Sequence, residues 1–148
     1  MKLLISTFFT VLLIGFAGGS YGQSFEETKL KLLAEQGNTS AQTLLGNMYA
    51  DGEGVPENDA EAVKWFRLAA EQGDARAQYN LGVMYANGEG VPENDVEAYV
   101  WFSVAAARGH ENARGNRDIV SDLLTPDQRA RGQDMATRCF ESDFQDCE

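Results

Sequence analysis

Basic residues are scarce. Twelve lysines and arginines stand against 23 aspartates and glutamates, a formal charge of −11. The stripe of positive charge that grips phosphate is therefore missing, and no nucleic-acid partner is expected. Histidine is scarcer still. His110 is alone, which excludes a His-rich metal site and any acid/base pair of two imidazoles. Cysteine occurs twice, at Cys139 and Cys147. What is plentiful excludes a disordered polymer, because 43% of the residues are apolar and only 24% are charged. At 148 residues the chain can bury the core of one domain but not of two.

The first 22 residues read as an address. Lys2 precedes a run of roughly 16 mostly apolar residues, followed by the small and polar stretch Gly19–Gln23. A basic start, a short apolar centre and small residues at the −3 and −1 positions make a secretory signal. Ser20 and Gly22 fill those positions for a mature start at Gln23; Ala17 and Gly19 are the second choice. A retained anchor needs about 20 apolar residues, so no stable membrane anchor is expected after cleavage, and the location expected is periplasmic or secreted. In such an oxidising compartment Cys139 and Cys147, close together at the end of the chain, are expected to form a disulfide. A redox-active pair would prefer the C-x-x-C spacing, which is absent.

The rest is organised by a repeat. Residues 38–73 and 74–109 align without a gap and agree at 22 of 36 positions. Self-similarity at that period signals a solenoid, in which each unit covers the apolar face of its neighbour. Each unit reads as two helices. Ala41, Leu45, Met48 and Tyr49 share one helical face, and Ala62, Trp65, Phe66, Ala69 and Ala70 share another. The connector DGEGVPEND cannot continue a helix. Asn58 with Glu61, and Asn94 with Glu97, have capping-box spacing, and Gly37, Gly73 and Gly109 close the second helices. Gly46 and Gly82 fall inside first helices. Their expected role is to admit the paired helix that carries Trp65 or Trp101.

The pattern AxxxLGxMYxxGxGVPxxxxxAxxWFxxAAxxG resembles the Sel-1-like repeat, a relative of the tetratricopeptide repeats. It is carried by Ala41, Leu45, Gly46, Met48, Tyr49, Gly52, Gly54, Val55, Pro56, Ala62, Trp65, Phe66, Ala69, Ala70 and Gly73, each of which recurs 36 positions later. The resemblance covers two full units, with a second-helix half unit at 25–37 and a degraded first helix at Ala113–Leu124. It implies an all-α fold, a right-handed α/α solenoid of helix-turn-helix repeats that acts as a protein-binding scaffold. A last helix opening at Thr125-Pro126-Asp127-Gln128 is expected to cap the stack, within a C-terminal half unit and cap at 110–148.

Enzyme chemistry finds no foothold. No serine is followed by lysine in the S-x-x-K spacing, and His110 has no nucleophile elbow near it. No catalytic residue and no cofactor are therefore expected; a cell-wall enzyme or β-lactam-binding protein is the alternative, by family analogy alone. The acidic connectors do not match a calcium loop, since Pro56 and Pro92 interrupt them, and no metal site is expected. A protein partner is. The positions at which the two first helices differ run i, i+3, i+4, i+7, i+11, a single face. On it Thr43, Asn47, Arg76, Tyr79, Asn80, Val83 and Asn87 are the recognition candidates. The two connectors, carrying nine carboxylates and no lysine or arginine, should meet at one edge and favour a partner with a basic surface. One asymmetry remains. Ala60, Val63, Lys64, Arg67, Leu68 and Glu71 make a mixed, solvent-facing set on the first unit's second helix. The second unit has Val96, Tyr99, Val100, Ser103, Val104 and Ala107 there, and so needs a cover. The C-terminal segment, with Met135, Phe140 and Phe144, is the expected cover.

Overall fold

The computed structural model describes residues 20–148; the secretory signal read at the N-terminus lies almost wholly outside them. Seven helices follow one another: α1 (Ser20–Glu35), α2 (Thr39–Asp51), α3 (Asp59–Ala70), α4 (Ala75–Asn87), α5 (Asp95–Ala107), α6 (Ala113–Leu123) and α7 (Pro126–Glu141). No strand occurs among the described residues, and none of these helices is long and apolar enough to cross a membrane. The repeats are the pairs α2–α3 and α4–α5. Helix α1 supplies a second-helix half unit before them, and α6 a first-helix half unit after them. The fold is an all-α helical repeat solenoid.

Polar side chains start the helices where the connectors end. Asn38 accepts the Ala41 N–H at 2.9 Å, and Asp74 accepts those of Arg76 and Ala77 at 3.0 and 2.9 Å. Asn58 and Asn94 cap α3 and α5 in the same way. Only half of the expected capping box forms there, because Glu61 turns to Lys64 and one carboxylate oxygen of Glu97 is buried without a partner. The full reciprocal box forms at Thr125 and Gln128. Gly37, Gly73 and Gly109 end α1, α3 and α5 with φ of 88°, 84° and 88°, a region that glycine enters without strain.

Glycine also sets how closely the helices pair, admitting the helix that carries Trp65 or Trp101 as expected. A Cβ on Gly82 would lie 2.7 Å from Cδ1 of Phe102, and one on Gly46 would strike the ring of Phe66. The phenylalanine beside each tryptophan, not the tryptophan, fills the space. Between units the tie is polar. Buried Gln42 donates from Nε2 to the Ala34 carbonyl, and buried Gln78 to the Ala70 carbonyl, each at 3.0 Å. Each repeat thus reaches back to the last turn of the helix before it. A buried carbonyl left without such a donor costs about 1–3 kcal/mol.

The C-terminal segment covers the second repeat. Helix α7 lies along α5, so close that a Cβ on Gly132 would stand 2.9 Å from Cδ1 of Tyr99. Val96, Tyr99, Val100 and Val104 are buried in one cluster with Met135, Cys139, Phe144 and Cys147. Cys139 and Cys147 are joined as a disulfide. Two details differ from expectation. Phe140 stays half exposed and meets Phe144 edge-on at 5.8 Å. Val63, read as solvent-facing, is buried in the cluster that α3 shares with the second repeat, while Ala60, Lys64 and Leu68 of the same set stay exposed.

Candidate functional site

The first helices α2 and α4 lie side by side, and a cleft of about 390 Å³ opens between them. Its position follows from the connectors. The Cα of Gly90 abuts the backbone of Asp59 and Ala60, leaving no room for a side chain, so the second connector is pressed onto the start of α3. Asp51, Glu57, Asp59 and Glu89 thereby come to one rim. Phe66, Val83 and Met84 add apolar wall. Asn80 Nδ2 donates to Asn47 Oδ1 at 2.9 Å, bridging the two helices across the cleft. No lysine or arginine lines it. A site of this kind can hold the ammonium or guanidinium of a basic side chain against carboxylates while its alkyl stem rests on the apolar wall.

The recognition candidates separate into groups. Asn47, Asn80 and Val83 line this cleft, and Asn87 is exposed at the end of α4. Arg76 is exposed at the other end and pairs at 3.8 Å with Asp74 of its own cap. Thr43 must be withdrawn as a contact residue. It is 2% exposed, and its hydroxyl donates to the Thr39 carbonyl at 3.1 Å, because this side of α2 faces the stack. Tyr79 is engaged from within. Its ring stacks on His110 at 4.2 Å, and its hydroxyl accepts from Asn116 Nδ2 at 3.1 Å, so it ties α4 to α6. Burial holds the His110 imidazole below its ordinary pKa, with nearby Asp74 and Glu111 opposing.

The nine connector carboxylates do not form one ridge. Glu61 pairs with Lys64 at 3.3 Å, away from the cleft. Glu97 belongs to a second cluster that the sequence did not announce. There Glu148 Oε1 accepts from Arg67 at 2.6 Å and from the Tyr85 hydroxyl at 2.9 Å, and Arg67 also donates to the Tyr85 oxygen at 2.8 Å. Burial first, and then the charge of Glu148, push the Glu97 carboxyl up to about 7. Burial and the bond to Glu148 likewise push Tyr85 up to about 12. Nothing in the sequence pairs residues 67, 85 and 148, since only the folded tail brings them together. No group of three or more His, Cys, Asp or Glu side chains among the described residues is placed to hold a metal ion.

Known proteins agree with this architecture. Residues 39–74 and 75–110 each match the Sel1 repeat. A crystal structure of a protective antigen from uropathogenic Escherichia coli, with an SLR fold, superposes with a TM-score of 0.74 at 32% identity over 78% of this chain and 26% of that one. A Sel1 repeat protein from Oxalobacter formigenes gives 0.65 at 31% identity, over 82% of this chain and 52% of that one. An exopolysaccharide production negative regulator of Rhizobium leguminosarum bv. viciae is 40% identical over 57 residues, 38% of this chain and 21% of its own length. The chain thus spans from about a fifth to about half the length of these relatives. It carries two Sel1 repeats and has the helical-repeat fold of Sel1-like proteins, which generally serve as protein-interaction scaffolds.

Proposed function

We propose that this chain, built on two Sel1 repeats, is an exported, non-catalytic scaffold whose cleft between α2 and α4 receives a basic segment of a protein partner. The observation that carries this reading is the cleft itself, with Asp51, Glu57, Asp59 and Glu89 at its rim, Phe66 and Met84 in its wall and no basic residue lining it. Export is supported by the layout of residues 1–22 and fits the Cys139–Cys147 disulfide. A binding role also fits the regulator among its relatives.

The test uses a fluorescent peptide rich in lysine and arginine. It should bind saturably to the full chain and weaken by about tenfold between ~0.05 and ~0.5 M salt. Asp51→Asn combined with Glu57→Gln and Glu89→Gln should abolish that binding and leave melting unchanged. Position 51 tolerates asparagine by precedent, as Asn87 occupies it in the second repeat. Binding that ignores both salt and these substitutions would sink the reading.

A further inference from the structure

The chain already shows how one of its grooves is filled. Beside the second repeat, the last residues run along α3 and α5. The Phe144 ring lies over Gly73, 3.0 Å from where a Cβ would stand. Gln145 Nε2 donates to the Glu71 carbonyl at 3.0 Å. Glu148 takes the hydrogen bonds of Arg67 and Tyr85. Only about 130 Å³ remains open there, beside Trp101.

Thirty-six residues earlier the same places recur. Gly37, Glu35, Lys31, Tyr49 and Trp65 stand where Gly73, Glu71, Arg67, Tyr85 and Trp101 stand one repeat later. They line an open groove of about 700 Å³ between α1 and α3, floored by α2. Where the Phe144 ring would sit, nothing lies within 4 Å of a Cβ built on Gly37. Lys31 keeps the positive charge of Arg67, and Tyr49 keeps the phenol of Tyr85. Neither side chain makes an ion pair or hydrogen bond to another described residue. Lys64, which lies over the Trp65 ring and is paired with Glu61, also lines the groove, where the second repeat has Val100 under the cap. Lys31 is therefore the cation left for a ligand. The part not reproduced is the cation over the aromatic ring, since Arg108 has Gln72 as its counterpart.

We propose that this first-repeat groove binds a partner polypeptide presenting an aromatic side chain four residues before a carboxylate, seated as Phe144 and Glu148 are seated one repeat further on. The aromatic ring packs at Gly37 beside Trp65, and the carboxylate bridges Lys31 and Tyr49. The proposal goes beyond the basic-partner cleft, since it concerns another face and a ligand of opposite charge, so either can fail alone.

The probe is a synthetic peptide of residues 139–148, closed by its own disulfide, titrated into the full chain. Calorimetry should show one peptide per chain, with a change in tryptophan emission. Lys31→Glu and Tyr49→Phe should each weaken binding by about tenfold, as should alanine in place of the phenylalanine at position 144 of the peptide. Lys31 is exposed, so unchanged melting certifies that its variant is folded. Arg67→Glu should leave the peptide's affinity intact. No saturable binding overturns the proposal. So does a loss that follows Arg67→Glu instead of Lys31→Glu, which would mean that the peptide displaces the resident tail. Dimers without peptide that dissociate on Lys31→Glu would assign the groove to a second copy of the chain, and overturn it equally.

Discussion

Replacing Gly82 by alanine sets two known effects against each other. In a helix interior alanine is favoured over glycine by about 1 kcal/mol, so propensity alone makes the variant more stable. Packing opposes it. The new methyl would sit 2.7 and 2.8 Å from two ring carbons of Phe102, whereas carbon atoms rest at about 3.5–4.0 Å. The ring must therefore retreat by roughly 1 Å, and it has nowhere to go. Phe102 is 1% exposed and is backed by the Tyr79 ring at 5.6 Å, itself held by His110 and Asn116. Overpacking of this kind costs about 1–3 kcal/mol. With the larger end of that range expected here, the net effect is a loss of about 1–2 kcal/mol. Gly115→Ala is the control, since nothing lies within 4 Å of its Cβ, and it should gain about 0.5–1 kcal/mol. Urea unfolding followed by far-ultraviolet circular dichroism reads both. Phe102→Leu placed on the Gly82→Ala background should recover about 1 kcal/mol relative to additivity. If Gly82→Ala stabilises as much as Gly115→Ala, or the double variant is additive, then Phe102 does not rest on Gly82 and the pairing of α4 with α5 is wrong.

Three further outcomes follow from the C-terminal half. Glu97 titrates at about 7 in the folded chain against an ordinary 4.5, so the folded state holds the extra proton between those values and stability falls as pH rises from about 4.5 to 7. Glu97→Gln should therefore raise stability by about 1–2 kcal/mol at pH 8, allowing for solvent screening, and by nothing near pH 4, as denaturant titrations at the two pH values would show. Reducing the Cys139–Cys147 disulfide frees a nine-residue ring and should cost about 2–3 kcal/mol by loop entropy; melting with and without reductant measures it, and an unchanged midpoint contradicts it. Truncation before Thr125 uncovers Tyr99, Val100 and Val104, each contributing about 1.5–3 kcal/mol when buried. It should destabilise the remainder and raise binding of a hydrophobic dye, and a truncated chain that is equally stable and dye-silent would contradict the fold-back.

Much of the solenoid was legible because a repeat writes its contacts twice. Trp65 and Trp101, or Gly46 and Gly82, mark positions that packing needs wherever the sequence around them changes. The cap was legible for the opposite reason. Lys64 and Arg67 give way to Val100 and Ser103, and a face that loses its charges must gain a cover. Thr43 misled because a position that differs between repeats need not be exposed. Threonine there satisfies its own hydroxyl on the Thr39 carbonyl, while the larger tyrosine at 79 reaches past the stack to His110. The acidic cleft was half legible. Connector composition gave the charge, but only the Gly90–Asp59 contact decides that Asp51, Glu57, Asp59 and Glu89 converge while Glu61 and Glu97 turn elsewhere. The tail's grip on Arg67 and Tyr85 left no trace in spacing, being a contact across 63 residues and more.

The amides of Gln42 and Gln78 bear on how such a chain can change in length. Each donor sits eight residues after the carbonyl it serves, and each such span crosses the seam between one unit and the next. A duplication that copies residues 38–73 would therefore copy donor and acceptor in phase, and every junction of the lengthened array would close with the same bond as before. The terminal helix would meet no new surface either, since the helices it packs on, α5 at Tyr99 and Val104 and α6 at Ser121, would still directly precede it. Growth by whole 36-residue units is then neutral at every joint. A gain or loss inside either eight-residue span would instead strand a buried carbonyl.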